Sequence, residues 1–418
     1  MNYSFIQNAE HFIFDTESYR IKNNETVDCC AKPKPCRYNE YCKIKFMSLH
    51  IVHECPLYCQ YCYGDGGVYN TPECSRMSST TMKNAIDYLF TYCTDDEMVH
   101  VNFFGGEPLL GFDLIKECVG YCESKAQEHG KKMEYSISTS ALILSEEILA
   151  FIQKYNISMS VSIDANKAAH DRHRRFKNNA PSYDKVVEGF ESIAAKSTKV
   201  LITATLTHHT LNEIDNYRDL LKIGANNFRF KTVTGMTSDL KLTNEDYDKL
   251  AEKYEILAKE YLEDIRNGII YDFGDFTKWI QRLFKGKVSH FNCSATEDYI
   301  NVDPTGEIYI CHKFVGDKNG RLGNVNDLSN PVQNLKFNTG ESKCKSCWAC
   351  NLCGGGCYFD GYEATKNPYH TFATNKCKIH KAQIRGAIYI YYHLRVEGLL
   401  EKFMNEITSS TNSYQLTV

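Results

Sequence analysis

The placement of cysteine constrains this chain more than any other feature. Of 19 cysteines in 418 residues, three fall at 55, 59 and 62, seven lie from 311 to 377, and residues 123–292 hold none. In a small secreted chain such density would mean a disulfide framework. Here the count is odd and the chain is long. The stretch MNYSFIQNAEHFIFDTESYR also lacks the basic and apolar regions of a secretory signal. Clustered thiols in that setting point to thiolate metal sites in a reducing compartment, and the expected location is cytoplasmic.

From residue 45 to about 233, β-branched and aromatic runs alternate with helical patterns. Strands are predicted over Lys45–Val52, Met98–Phe104, Met133–Ser138, Ile157–Ile163, Lys199–Leu206 and Asn227–Val233. Helices are predicted over Ser79–Tyr92, Phe112–Glu128, Ser145–Tyr155, Tyr183–Ala195 and Leu211–Ile223, with Ser145 and Ser182 as N-terminal caps. Strands and helices in that order give an α/β fold with a parallel sheet. Eight repeats would close a barrel, and six predict a partial, TIM-like (β/α)6 one. Three further helices are expected, over about Asn244–Ile265, near Phe273–Phe284 and over about Lys378–Phe403, before a frayed polar tail.

The expected segments are therefore an N-terminal hairpin with cysteines (1–44), the core (45–235), a helical linker (236–286), a Cys-rich domain (287–385) and a C-terminal helix with its tail (386–418). Apolar residues make up 43%, enough for a sizeable core. No apolar run approaches the roughly 20 residues of a membrane helix. With 48 basic and 52 acidic residues, nucleic acid is not an expected partner, and neither is a membrane.

The segment after the first strand reads HECPLYCQYCYGDGG. In parallel β/α folds the C-terminal ends of strands carry the chemistry. Three thiolates at Cys55, Cys59 and Cys62 suit three corners of a four-iron cluster and leave one iron open to a cofactor or substrate. Gly64, Gly66 and Gly67 let the chain wrap closely around it. The alternatives are a zinc loop or a buried trio, although zinc motifs pair their ligands and this trio stands alone.

The pattern Cys55-x3-Cys59-x-Tyr61-Cys62 resembles the CxxxCxΦC signature of the radical S-adenosylmethionine (radical SAM) superfamily. Gly105-Gly106-Glu107-Pro108, ending the second strand, resembles its GGEP motif. SVSIDA with HDRHRR resembles its SxDG…HDxxR stretch, with Ala165 where the family usually has Gly. The resemblance implies that Gly105, Gly106 and Glu107 meet the methionine amino group, Glu107 offering a carboxylate to the ammonium. It implies ribose and carboxylate contacts for Ser162 and Arg174, with the rest of the basic stretch a solvated loop. Tyr61 would pack beside the adenine, or is simply a core aromatic.

Cys293, twelve residues, Gly306, four residues and Cys311 are followed by Cys344-x2-Cys347-x5-Cys353-x3-Cys357 and then Cys377. This is similar to the SPASM domain. The resemblance implies two auxiliary four-iron clusters, one on Cys344, Cys347, Cys353 and Cys377, the other on Cys293, Cys311 and Cys357. Members whose second cluster is fully ligated carry an extra cysteine shortly before the first, and residues 281–292 have none. An open iron for a substrate thiolate is thus implied. Cys350 could supply the missing ligand, replace Cys347 or Cys353, or be free. A pair of zinc knuckles is the bland alternative, but it would not need seven ligands.

Cys29, Cys30, Cys36 and Cys42 are read as structural or as a further metal site, Cys93, Cys118 and Cys122 as core, and Cys74 stays undecided near the active face. HFIFDTESYRI reads as strand, turn and strand, either a sheet edge for an extended peptide or a hairpin capping the barrel.

The function implied is that of a radical SAM enzyme with a SPASM domain, whose cluster cleaves S-adenosylmethionine to methionine and a 5′-deoxyadenosyl radical. It most resembles maturases that form Cys thioether crosslinks, as in ranthipeptides or SCIFF-type peptides. Its implied partners are a Cys-containing precursor peptide and a flavodoxin or ferredoxin electron donor. The rivals are a sulfatase-maturing enzyme using Asp298 or Asp303 as base, a carbon–carbon crosslinking maturase and, from another class, an iron–sulfur electron carrier. A carrier would have no use for GGEP and Arg174.

Overall fold

All six expected core strands form. In this computed structural model they are β5 (Phe46–Val52), β6 (Met98–Gly105), β7 (Lys132–Thr139), β8 (Ser158–Ser162), β9 (Val200–Leu206) and β10 (Asn227–Thr232). Before them come β1 (Asn2–Gln7), β2 (Glu10–Asp15), β3 (Ile21–Asn23) and β4 (Glu25–Val27). The structure describes residues 2–23, 25–27, 43–69, 75–197, 199–235, 239–289, 292–295, 297–332, 344, 346–367 and 374–410. Cys29, Cys30, Cys36, Cys42, Cys74 and the tail at 411–418 lie outside them.

Each strand from β5 to β10 pairs in parallel with the next. The crossovers that parallel pairing requires run through Ser79–Thr91, Phe112–His129, Glu146–Lys154 and Tyr183–Ala194. β5, FMSLHIV, is buried along its whole length, as a strand covered on both faces must be. The sheet continues past both predicted edges. β11 (Asp272–Phe273) pairs with β10, and β12 (Tyr299–Val302) pairs in parallel with β5, followed by antiparallel β13 (Glu307–Tyr309) and β14 (Arg321–Asn324). The Cys-rich stretch is thus built onto the core sheet, through strands too short to show a periodicity.

Side-chain alternation divides the core strands into two faces. Phe103, Ile137, Val161, Ile202 and Phe228 enter the apolar core, whereas Asn102, Ser138, Ser160, Thr203 and Arg229 line a shared cavity. Five adjacent strands facing one cavity make the sheet a curled, open barrel.

Several local expectations change. Leu211–Ile223 is not one helix: a 3₁₀ stretch, His208–Asn216, with Thr210 off helical geometry, leads into the short helix Arg218–Lys222. The last helix is two, Lys376–Val396 and Leu400–Ser410, separated by Gly398 at φ 72°. Ser145 accepts from the Ile148 N–H as a cap should. Ser182 does not cap. Its hydroxyl donates to the Arg174 carbonyl, and Asp171 accepts from the N–H groups of Ser182 and Tyr183 at 2.9 Å each. The basic stretch expected as a loop contains the helix Lys167–His173, which buries His170 and His173.

The N-terminal hairpin is one part of a four-stranded antiparallel sheet, β1-β2-β3-β4. Tyr3 stacks on Trp348 at 4.0 Å, and Phe12 meets Tyr389 and Tyr392 edge-on. The Tyr19 hydroxyl donates to the carbonyls of Lys287 and Asn351. Aromatic packing therefore seats this sheet on the C-terminal layer, contrary to a barrel-capping role. Among the described residues no helix is long and apolar enough to cross a membrane.

Candidate active site: two joined cavities

One cavity at the C-terminal ends of the strands is lined by Cys55, Cys59, Cys62, Tyr61, Gly105, Gly106, Ser162 and Arg174. Eight of the residues expected at the first cluster and its cofactor thus share one space. The two glycines make this possible by letting β6 end against the cysteine loop. The Gly106 N–H donates to the Val52 carbonyl at 2.8 Å and the Glu107 N–H to that of Glu54 at 2.7 Å. A Cβ at Gly105 would stand 2.4 Å from the Val52 oxygen, and one at Gly106 2.2 Å from that of Glu54. Gly105 also has φ +126°, which disfavours any side chain.

Glu107 does not line this cavity. Its carboxylate is fully buried and accepts from Thr139 Oγ1 at 2.8 Å, from the Ser140 N–H at 2.8 Å and from the Ser140 hydroxyl. Burial raises its pKa and these bonds oppose the rise. Glu107 thus ties the end of β6 to the end of β7, and the backbone of Gly105 and Gly106 is what faces the cavity.

Asp164, to which the sequence reading assigned no role, organises the opposite wall. It accepts from the Tyr61 hydroxyl, from Arg174 Nε at 3.2 Å and from the Thr205 N–H at 2.8 Å. The Arg174 guanidinium lies 5.0 Å from the Tyr61 ring centroid. Tyr61 is therefore fixed at both ends. The signal for Asp164 was its place at the end of the fourth strand, in SVSIDA.

A second cavity is lined by Cys293, Cys311 and Cys357. It shares Arg229, Lys231, Thr232, Tyr299, His312 and Lys313 with the first, so the two are joined. Burial, then the charges of Arg229, Lys313 and Lys278, push the Lys231 ammonium down to about 7. Lys231 is exposed to the shared cavity. Cys344, Cys347, Cys353 and Cys377 form a separate group. Burial pushes Cys353 up to about 12; Lys278 and Arg282 oppose this, while Cys377 and Cys344 add to it. Cys350 feels Cys344 and Cys347 and so sits with this group, away from the trio it might have completed. Asp298 and Asp303 line neither cavity. Asp303 instead closes a turn, accepting from the N–H groups of Thr305 and Glu307. Cys118 and Cys122 are buried on one helix face, as expected.

Residues 49–221 match the family model of the Radical SAM superfamily. This chain carries a radical SAM core. It is 23% identical over 344 residues to "Radical SAM cyclopropyl synthase TigE" of Paramaledivibacter caminithermalis, which covers 75% of this chain and 68% of that protein. It is 24% identical over 331 residues to the "Cysteine-type anaerobic sulfatase-maturating enzyme" of Clostridium novyi, covering 72% and 84%. Among solved structures, "Native anSMEcpe with bound AdoMet and Kp18Cys peptide" superposes with a TM-score of 0.70 at 19% identity, over 85% of this chain and 99% of that one.

A radical SAM core uses S-adenosylmethionine and a four-iron cluster, and the thiols of this chain suit such groups. Burial pushes Cys59, Cys293 and Cys311 each up to about 12, so without metal they stay protonated. Iron binding is what turns such thiols into thiolates. Cations stand ready for that charge, Arg174 at Cys59 and Lys278 and Lys313 at Cys293. Among the described residues no three Cys, His, Asp or Glu side chains converge as ligands of a single ion do. A four-iron core is larger than one ion, and its thiolates stand further apart.

Proposed function

We propose that this radical SAM enzyme matures a ribosomally made peptide by joining a cysteine sulfur to a carbon. The observation that carries the reading is the trio Cys293, Cys311 and Cys357, which lines a cavity continuous with the first and gains no fourth cysteine from Cys350. A three-thiolate site would hold a cluster with an iron free for a substrate thiolate. The sulfatase-maturating relative and the peptide-bound structure support a peptide as the substrate.

When bound, the cofactor and clusters would supply an electron and a 5′-deoxyadenosyl radical. The chain's own residues position and enclose. Cys55, Cys59 and Cys62 would hold the first cluster, and the Gly105–Gly106 backbone would receive the methionine amino group. Arg174, steadied by Asp164, offers its guanidinium to the methionine carboxylate, and Ser162 offers a hydroxyl to the ribose. Cys344, Cys347, Cys353 and Cys377 would hold the other auxiliary cluster. In the net change the attacked carbon would lose a hydrogen atom to the 5′-deoxyadenosyl radical, which becomes 5′-deoxyadenosine, and the thiol would lose its proton. As the sulfur–carbon bond forms one electron is left over, and a cluster held by Cys293, Cys311 and Cys357 would accept it. A small flavodoxin or ferredoxin in the cytoplasm fits as electron donor.

The 24% identity to the sulfatase-maturating enzyme favours a second reading, oxidation of a cysteine to formylglycine. One experiment separates the two. Enzyme reconstituted without oxygen is given reductant, S-adenosylmethionine and a Cys-containing peptide encoded beside its gene. A product that has lost two hydrogens, kept its sulfur and resists alkylation supports the thioether. An aldehyde product without sulfur overturns it.

A further inference from the structure

Cations crowd the passage between the two cavities. Of the six residues that line both, Arg229, Lys231 and Lys313 are cationic and none is a carboxylate. The first cavity has no carboxylate among its described lining residues. The second adds Lys278 and Lys376 against Asp275 and Asp360. Both acids are already engaged. Asp360 pairs with Lys376 at 3.0 Å, and Asp275 accepts from the Phe230 N–H at 2.9 Å and from Gln383 at 3.1 Å.

Lys231, like Lys278, has no carboxylate partner among the described residues. It follows Phe230 near the end of β10 and points inward by strand alternation. Arg229, Lys313 and Lys278 surround it, and Cys357 is its one negative neighbour. Among the described residues its ammonium makes no hydrogen bond or ion pair. Its side chain is exposed to the cavity, and like charges crowded there repel one another until an anion joins them. Arg174, which the proposal above gives to the cofactor carboxylate, lines the first cavity only and stands beside Cys59. The auxiliary cluster meets only part of the excess, since its positive iron core offsets most of the charge on three thiolates.

We propose that Lys231, between Arg229 and Lys313, receives a carboxylate of the substrate peptide. That carboxylate is either an Asp or Glu side chain next to the reacting carbon or the C-terminus of the peptide. The inference rests on the peptide reading above and sharpens it, making Lys231 a specificity-determining residue.

The test uses holoenzyme loaded with clusters and S-adenosylmethionine. The probes are capped Cys-containing hexapeptides that differ at one position, Asp, Glu, Asn or Gln, together with the Asn peptide bearing a free C-terminus. Binding is measured by calorimetry, and crosslinking by mass spectrometry. An acidic peptide is expected to bind about tenfold tighter than its amide counterpart. If only the free C-terminus brings the gain, the carboxylate is the terminal one. In Lys231→Met the preference disappears, and in Lys231→Arg it returns, at iron contents equal to the parent.

Equal affinity for acid and amide peptides in the parent overturns the proposal. So does a Lys231→Met protein that keeps the preference but binds S-adenosylmethionine weakly or shifts the auxiliary cluster's potential, which assigns the lysine to those groups. If acid and amide peptides are bound and crosslinked alike, this inference alone falls; if no peptide binds, the peptide reading falls with it.

Discussion

The two thiol-rich regions are built by opposite means. Cys55, Cys59 and Cys62 fall within eight consecutive positions, and their loop is shaped mainly by backbone, with Gly105 and Gly106 pressed against Val52 and Glu54. The auxiliary cysteines run from 293 to 377 and are drawn together by side chains from elsewhere. Arg282 bonds the carbonyls of Leu352, Cys353 and Asn292, and Trp348 is clamped by Tyr3 from the far end of the chain. A local site tolerates no added atom. A dispersed one depends on a few buried charged links.

The comparison breaks most sharply at Gly106. In Gly106→Ala the new Cβ must displace the Glu54 carbonyl, so the cofactor-binding cluster should be lost. About four of roughly twelve irons should go. Formation of 5′-deoxyadenosine should fall by at least about 100-fold, a loss of some 2.7 kcal/mol of transition-state stabilisation. Iron analysis and product chromatography check both, and an alanine variant with full iron would mean that the loop yields.

Arg282→Met probes the other region. It leaves buried carbonyls without their charged donor, and about 3 kcal/mol of stability should go. Chemical denaturation measures the loss. Auxiliary iron should fall while S-adenosylmethionine cleavage persists, and equal loss at both sites would erase the distinction.

The smallest effect lies behind the Asp164 wall of the first cavity. His170, fully buried, takes part in hydrogen bonds with Ser182 Oγ and the Asp164 N–H, and burial lowers its pKa from 6.5 to about 4. The unfolded chain therefore binds the extra proton. This contribution is complete above about 6.5 and fades as the pH falls toward about 4. Between pH 7 and 4.5 the parent should lose about 2 kcal/mol that His170→Gln does not. Denaturant midpoints of both proteins across that range decide it.

How legible each part was follows from the range of the interactions involved. The six core strands, their order and the first cysteine loop could be read directly, because alternation and short spacing are local signals. Glu107 was legible as a motif residue, but its hold on the end of β7 through Thr139 and Ser140 was not, because those partners lie more than thirty residues away. Asp164 went unassigned because its value lies in joining Tyr61, Arg174 and Thr205, which are far apart in the chain. Lys231 was hidden in the same way. Its alternation with Arg229 was visible in FRFKTV, but nothing local told which face would meet Lys313 and Cys357.

The sequence by itself determined the chemistry on offer, through thiols at fixed spacings, glycines where backbone must approach backbone, and a six-strand parallel core. Only the tertiary structure decided how that chemistry is arranged. It joined the two cavities, placed Cys350 with Cys344 and Cys347, added β12 from the Cys-rich stretch to the edge of β5, and gathered cations at the junction. The physical reason is that spacing and alternation act over a few residues, whereas burial and charge act through space, between groups brought close only once the sheet has curled.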